Sequence, residues 1–322
     1  MIVWLLLACV FGADTTVAVD GSGRTPVLQP PPMTARSEVS PTLDAPEPGP
    51  DPATSTAFVF VGDTGKGGLG QAMVAEAIKT WCAARRCDFV AYLGDNLYPS
   101  GAQSVDDPVF ADRFERFWEG FDGPFMVALG NHDHQGDIQA EIAYGKKSTK
   151  WEQPAAWYRF ERGVAEFLVL DTGAGAFGEL DPTQTSWLQK TLAEPRSPWR
   201  IAYGHHPIHS SGLHGPGPKM IARVEPMLRE GGVDFWLCGH DHQMEVLDDG
   251  VTPIEIISGA GAEVRKVKSP AVETTYLAGH LGFGYLVLDP LVAKLAMVEV
   301  SPSQTKVAHT QAWRADELKR AR

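Results

Sequence analysis

Five short segments of this chain carry residues able to hold a metal ion. They are Gly62-Asp63-Thr64-Gly65, Gly94-Asp95-Asn96-Leu97-Tyr98, Gly130-Asn131-His132-Asp133, Gly204-His205-His206-Pro207 and Gly239-His240-Asp241-His242. Eight of the ten histidines lie between His132 and His242, in or near these segments, which ties most of the imidazole content to one region. Aspartate, asparagine, histidine and tyrosine without thiolates suit hard or borderline cations such as iron, manganese and zinc. Taken singly, an Asp or Asn after a Gly is more often a turn or cap residue. The fivefold recurrence is what points to a metal site.

Each segment closes an apolar run. Residues 57–62 (AFVFVG) stop before Asp63, 88–94 (DFVAYLG) before Asp95 and 124–130 (PFMVALG) before Asn131. Residues 199–204 (WRIAYG) stop before His205, and 234–239 (DFWLCG) before His240. Such runs read as buried central strands, and in open α/β sheets sites lie beyond the carboxyl ends of the strands. Cys238 falls inside its run, before the Gly, and reads as a buried thiol rather than a ligand. Residues 71–84 and 183–193 have helical spacing and fit crossover connections. The runs 253–258, 284–288 and 295–300 read as a second group of strands. The expected fold class is α/β.

In order and residue type the five segments resemble the calcineurin-like metallophosphoesterases. Most of that superfamily has Asp-x-His at the first segment, where this chain has Asp63-Thr64-Gly65. Tyr98 stands where the purple acid phosphatases place a tyrosinate ligand instead. Residues 130–136, Ala143-Tyr144, Trp157-Tyr158-Arg159, Ser186-Trp187-Leu188 and residues 238–242 are similar to the small tartrate-resistant acid phosphatases. The resemblance covers residues 57–300 and implies a four-layer α/β/β/α sandwich of two mixed β-sheets flanked by helices. It implies Fe(III) held by Asp63, Asp95, Tyr98 and His242. It also implies a divalent metal, Fe(II), Zn or Mn, held by Asp95 as the bridge with Asn131, His205 and His240. His132 and His214 match the family's histidines that contact substrate. Residues 173–182 are fewer than in the family's exposed regulatory loop, so the resemblance does not extend to control by nicking there.

The implied function is an acid phosphatase that hydrolyses small phosphate monoesters by attack of a metal-bound hydroxide. Two carboxylates and a phenolate leave a trivalent and a divalent ion net positive, attractive to a phosphate anion. A phenol of ordinary pKa about 10 ionises at acidic pH only when a strong Lewis acid holds it. The same metals would also serve a phosphodiesterase or nucleotide pyrophosphatase. A third reading is a non-catalytic exported protein that binds phosphate.

Composition bounds the partners and the compartment. The chain has 322 residues, 43% of them hydrophobic, and a formal net charge of −12. Without a Lys/Arg-rich block beyond residues 314–322, it is not expected to bind nucleic acid. Residues 1–20 read as a signal peptide or lipoprotein leader, because the apolar run 2–12 is too short to span a bilayer. Leu6-Leu7-Ala8-Cys9 resembles a lipobox, so any membrane attachment would run through Cys9. Residues 21–55 read as a Pro-rich disordered tether, 56–310 as the catalytic domain and 311–322 as a charged C-terminal tail. Together these features predict an exported monomer, periplasmic or extracellular, in which Cys82 and Cys87 could close a small disulfide loop.

Overall fold

The computed structural model describes residues 39–40, 45–173, 178–251, 253–268 and 274–320. The expected leader at residues 1–20, with Cys9, lies outside the described residues, as does most of the expected tether.

The strands, in chain order, are β1 (Val39–Ser40), β2 (Thr56–Val61), β3 (Phe89–Leu93), β4 (Phe125–Ala128), β5 (Trp151–Glu152), β6 (Tyr158–Arg162), β7 (Ala165–Val169) and β8 (Trp199–Tyr203). There follow β9 (Phe235–Cys238), β10 (Met244–Leu247), β11 (Ile254–Ser258), β12 (Thr274–Ala278), β13 (Leu281–Leu288), β14 (Val292–Val300) and β15 (Thr305–Arg314). They form one sheet of order β1-β15-β14-β13-β2-β3-β4-β5 and a second of order β12-β10-β11-β9-β8-β7-β6. Within the first, β2, β3 and β4 are parallel neighbours. Within the second, β7, β8 and β9 are parallel neighbours.

Strand periodicity explains why two sheets must stack. Successive side chains point to opposite faces, and every residue of β2 and β3 is buried. Phe58, Phe60, Phe89, Ala91 and Leu93 face Ala165, Phe167, Val169, Ile201, Tyr203, Phe235 and Leu237 of the second sheet in one cluster. Phe58 meets Phe167 edge-on at 5.2 Å across that interface. The alternate residues, Ala57, Val59, Val61, Val90 and Tyr92, pack outward against Val74, Ile78 and Trp81 of helix α1 (Leu69–Ala84). On the far side, Leu168, Ala202 and Trp236 pack against Leu188 and Leu228. These belong to two further helices, Pro182–Leu192 and Glu225–Glu230. The result is the four-layer α/β/β/α sandwich that the resemblance implied.

Local signals set the crossovers. The helix Pro182–Leu192 starts on Asp181, whose side chain accepts from the Thr183 N–H at 2.6 Å, with Pro182 in the first turn. The bond between Cys82 and Cys87 ties the end of α1 to the chain entering β3. Cys238 is the buried free thiol expected.

Two boundaries differ from those expected. Residues 45–55 are not free tether, because Arg86 donates to Gly49 O at 2.6 Å and to Ser55 Oγ at 2.9 Å and holds them on the domain. Residues 311–320 are not a tail: β15 runs through Arg314 and the helix Ala315–Arg320 follows. Trp313, Ala315 and Leu318 are buried in the core between the sheets, while Arg314, Asp316 and Glu317 face water. Trp313 packs on Phe235 at 5.1 Å, and its Nε1 donates to Asp248 at 2.7 Å. Counting charges conceals this alternation. Trp313→Ala should lower unfolding stability by about 3–5 kcal/mol, measured by denaturant titration. A loss near zero would return residues 311–320 to the status of a tail.

Candidate metal centre

All five predicted segments emerge at the carboxyl ends of β2, β3, β4, β8 and β9, on the parallel cores of the two sheets. Three of the predicted ligands hold left-handed backbone: Asp63 (φ 57°), Asp95 (φ 54°) and His240 (φ 67°). Among the described residues they are the only non-glycine ones with positive φ. That conformation disfavours side chains bearing a Cβ. Its concentration here marks a site where the surrounding structure over-determines the chain. Gly130 permits a close approach of the third loop to the second, since a Cβ there would lie 2.2 Å from Asp95 N and 2.3 Å from its Oδ1.

The donor atoms fall into two groups around Asp95 Oδ2. On one side are Asp63, Tyr98 and His242. Tyr98 Oη lies 3.0 Å from Asp63 Oδ1 and 3.4 Å from His242 Nε2, which is itself 3.3 Å from Asp63 Oδ1. On the other side His205 Nε2 lies 3.2 Å from Asn131 Oδ1 and 3.2 Å from His240 Nδ1. Asp95 Oδ2 is 2.9 Å from Tyr98 Oη and 3.4 Å from His205 Nε2, so it joins both groups. Asp63, Asp95, Tyr98, His205, His240 and His242 are all buried. Orientation is fixed from behind: His205 Nδ1–H donates to Leu93 O at 3.0 Å, freeing Nε2, and His240 N–H donates to Asp63 Oδ2 at 2.8 Å.

This donor chemistry fits a pair of cations. One phenolic proton cannot satisfy two buried carboxylates, and two imidazole nitrogens cannot face each other at 3.2 Å unless a proton or a cation lies between them. Gly65 accounts for the missing Asp-x-His histidine, because a Cβ there would lie 2.0 Å from Asn96 O. Tyr98 approaches from the adjoining loop, whose backbone N–H donates to Gly65 O at 3.1 Å.

Without metal the electrostatics are those of an underneutralised site. Burial, then Asp63 and Asp95, push the Tyr98 phenol far up. Burial opposes ionisation of His205, but Asp95 and Asp63 outweigh it and raise its pKa to about 9. Asp95 is held well below the usual carboxylate range: burial works against this, and His205 and a hydrogen bond from His132 overcome it. Burial and then His205 drive His240 far down.

The two predicted substrate histidines flank this centre. His132 donates its backbone N–H to Asp95 Oδ1 at 2.8 Å, and its Nδ1 donates to Pro99 O at 2.5 Å. That leaves Nε2, 3.9 Å from Asp95 Oδ2, as the ring nitrogen nearer the centre. The exposed His214 packs its ring on His240 at 4.3 Å.

Three residues at the site carried no role in the sequence reading. Asp133 is fully buried and accepts from Asn96 N at 3.0 Å, Leu97 N at 3.1 Å and Gly130 N at 2.8 Å, clamping the second loop to the third. Burial and the Asp95 charge raise its pKa to about 7. Asp241 accepts from Ser210 Oγ and, at 3.0 Å, from His214 N, and so fixes the loop bearing His214. His206 lies close enough to His205 and His240 to share an ion with them. Its Nδ1 meets Thr172 Oγ1 at 2.9 Å, and burial, reinforced by His205, pushes its pKa down to about 3. Asp133 and Asp241 stand inside the quoted motifs, and their adjacency to the ligands was the available signal.

The family model for calcineurin-like phosphoesterase matches residues 56–244. Human tartrate-resistant acid phosphatase type 5 is 32% identical over 251 residues, 70% of this chain and 76% of that protein. Purple acid phosphatase 4 of Arabidopsis thaliana is 29% identical over 236 residues, covering 66% and 69%. Among solved structures, GAP50, the anchor in the inner membrane complex of Plasmodium, superposes with a TM-score of 0.72 at 21% identity, over 81% of this chain and 89% of that one. The purple acid phosphatase PPD1 of yellow lupin seeds gives 0.62 at 19% identity, over 81% and 54%.

The protonation pattern makes metal uptake pH-dependent. At pH 7 both the Tyr98 phenol and His205 carry protons that a ligand must lose. Loading the stripped protein should therefore release about two protons, and affinity should fall as pH falls. Calorimetry in buffers of differing ionisation enthalpy measures this, and Tyr98→Phe should release one fewer. Equal release from both proteins would exclude Tyr98 from the metal.

Proposed function

The chain belongs to the calcineurin-like phosphoesterases, among the tartrate-resistant and purple acid phosphatases, and from that premise we propose that it hydrolyses phosphate monoesters as an acid phosphatase, using Fe(III) with Fe(II), Zn or Mn. The observation that carries this reading is Tyr98 Oη between Asp63 and Asp95, opposite a Gly65 that cannot hold a side chain. Asp63, Tyr98 and His242 would hold the trivalent ion, Asn131, His205 and His240 the divalent one, and Asp95 both. When bound, such a pair polarises phosphoryl oxygens and lowers the pKa of water.

The chain's own residues would then bind and orient the ester. Asp133 and the Leu93 carbonyl keep the ligand-bearing loops in register, so little reorganisation is needed when substrate arrives. His132, with Nδ1 committed to Pro99, is placed to give the Nε2 proton to a departing alkoxide. His214, fixed by Asp241, borders the same centre and would contact the phosphate.

The assignment to iron is tested by metal analysis with the visible spectrum. Two metals per chain, at least one of them iron, should accompany a visible phenolate-to-iron band that Tyr98→Phe abolishes without unfolding the protein. A colourless two-zinc protein would overturn it.

Asn131 and His132 separate ligand from acid. Asn131→Ala should lose activity that excess divalent metal partly restores. His132→Ala should keep both metals and slow alkyl phosphates by about 10²–10⁴-fold, and aryl phosphates less, since their leaving groups need little protonation. Equal slowing of both esters at every pH would make His132 structural. A wild type that cleaves a diester faster than the monoester of the same alcohol would replace the monoesterase reading.

Export, by a cleaved signal peptide or with a lipid anchor at Cys9, belongs to the same proposal, and the Cys82–Cys87 bond supports an oxidising compartment. Fractionation checks it: a lipid-anchored protein should be freed from membranes by Cys9→Ser, and a wholly cytosolic protein with an intact N-terminus contradicts export.

A further inference from the structure

The mouth of the metal centre carries a positive charge that belongs to the protein itself. Arg265 follows β11 in a loop that its backbone N–H ties to His242 O at 3.0 Å. Its Nη1 donates to His214 Nε2 at 2.9 Å, and the His214 ring packs on His240. The guanidinium thus stands one imidazole beyond His240. Lys268 fastens the same loop, donating its N–H to Ser211 O at 2.8 Å and its Nζ to Leu213 O at 2.7 Å. Asp241 holds His214 from the other side. Arginine and imidazole are therefore placed as a unit.

What Arg265 lacks is a carboxylate. Among the described residues none lies within ion-pair distance of it. Its neighbour Glu263 pairs instead with Lys66 Nζ at 2.6 Å, and that contact, with a smaller contribution from the Arg265 charge, holds its carboxyl below the usual range. Elsewhere in this acidic chain Arg159, Arg196 and Arg200 each hold an acidic partner. A guanidinium offers five N–H donors in a planar fork suited to carboxylate or phosphate, and the bond to His214 uses one of them.

We propose that Arg265 is a specificity-determining residue that binds a second anionic group on the substrate, a carboxylate or a further phosphate, a few bonds from the phosphate that occupies the metal centre. This rests on the phosphatase reading above. The phosphate at the centre would be met by the metals with His132 and His214, whereas a second anion would find the remaining N–H donors of Arg265. The effect should appear mainly in KM, since the second anion is bound alike before and during reaction.

Matched esters with similar leaving alcohols test this: O-phosphoserine against O-phosphoethanolamine, and propane-1,3-diol bisphosphate against propyl phosphate. In Arg265→Ala, kcat/KM for the member with the second anion should fall about 10–100-fold, the loss of a charge-assisted hydrogen bond. Its partner should change less than about 3-fold, a change of well under 1 kcal/mol. The first pair reads a carboxylate and the second a phosphate, so the two sources are told apart. Arg265→Lys should retain part of the preference, which guards against a misfolded Ala variant. Calorimetry with phosphonoacetate and methylphosphonate gives a readout without turnover, and Arg265→Ala should weaken only the former. Equal losses within each pair would mean that Arg265 merely props His214, and no loss in either would also overturn the proposal. A wild type that turns over none of the four esters ends the phosphatase reading, and the two phosphonates then decide Arg265 alone.

Discussion

The hydroxyl of Tyr98 lies 3.0 Å from a carboxylate oxygen of Asp63 and 2.9 Å from one of Asp95, and it has a single proton to share between them. Both acids are buried, where an uncompensated charge costs several kcal/mol. Hydrogen bonds from the backbone relieve part of that cost: His240 N–H serves Asp63 and His132 N–H serves Asp95. The imidazolium of His205 relieves another part. The remainder calls for cations between the two donor groups, and the left-handed backbone at Asp63, Asp95 and His240 is tolerable only in a fold that recovers the strain elsewhere, roughly 1–2 kcal/mol for each such residue.

The sandwich supplies that recovery. Alternate residues of β2 and β3 pack on the second sheet, and the others on α1, so the strands under the site are immobilised on both faces. Each fully buried Val, Leu, Ile or Phe contributes about 1.5–3 kcal/mol, and the strands leading to Asp63 and Asp95 carry several of them. The rigid strand ends and the strained ligand turns are therefore one device. Asp133 completes it by joining the loops after β3 and β4, which no pairing between strands can do beyond the sheet edge.

Much of this was legible in the sequence because it follows from periodicity. A buried parallel strand must read as an unbroken apolar run, and a ligand at its end must come directly after the last residue that fits the sheet. The runs before Asp63, Asp95, Asn131 and His240 fit this closely, each ending on a Gly before the ligand, while the run before His205 also holds Arg200, which is buried against Glu166 at 2.9 Å. What escaped notice depends on contacts between distant segments. Asp133 looks like part of a motif until its carboxylate is seen to reach Asn96 and Leu97. Arg265 looks like one charge in a polar loop until His214 is placed beside it. At the C-terminus the error ran the other way: composition suggested a tail, while the alternation of Trp313 and Ala315 with Arg314 and Asp316 already described an amphipathic strand end.

The net charge of −12 poses a last question, how an acidic protein draws a phosphate ester to a site walled by aspartates. Distance and screening answer it. At physiological ionic strength the field of a remote surface charge decays over about 8 Å, so the scattered acidic exterior contributes little at the mouth of the site. There the nearby charges decide. Lys66 sits over the Tyr98 ring at 4.5 Å, but Glu263 neutralises it. Asp63 and Asp95 are turned inward onto Tyr98, His205 and His242, where a pair of cations would more than balance them. Arg265 is left as a positive charge at the mouth without an acidic partner within ion-pair distance among the described residues. The overall charge thus opposes non-specific binding to polyanions, while the local charge still favours a small anion at the metal centre.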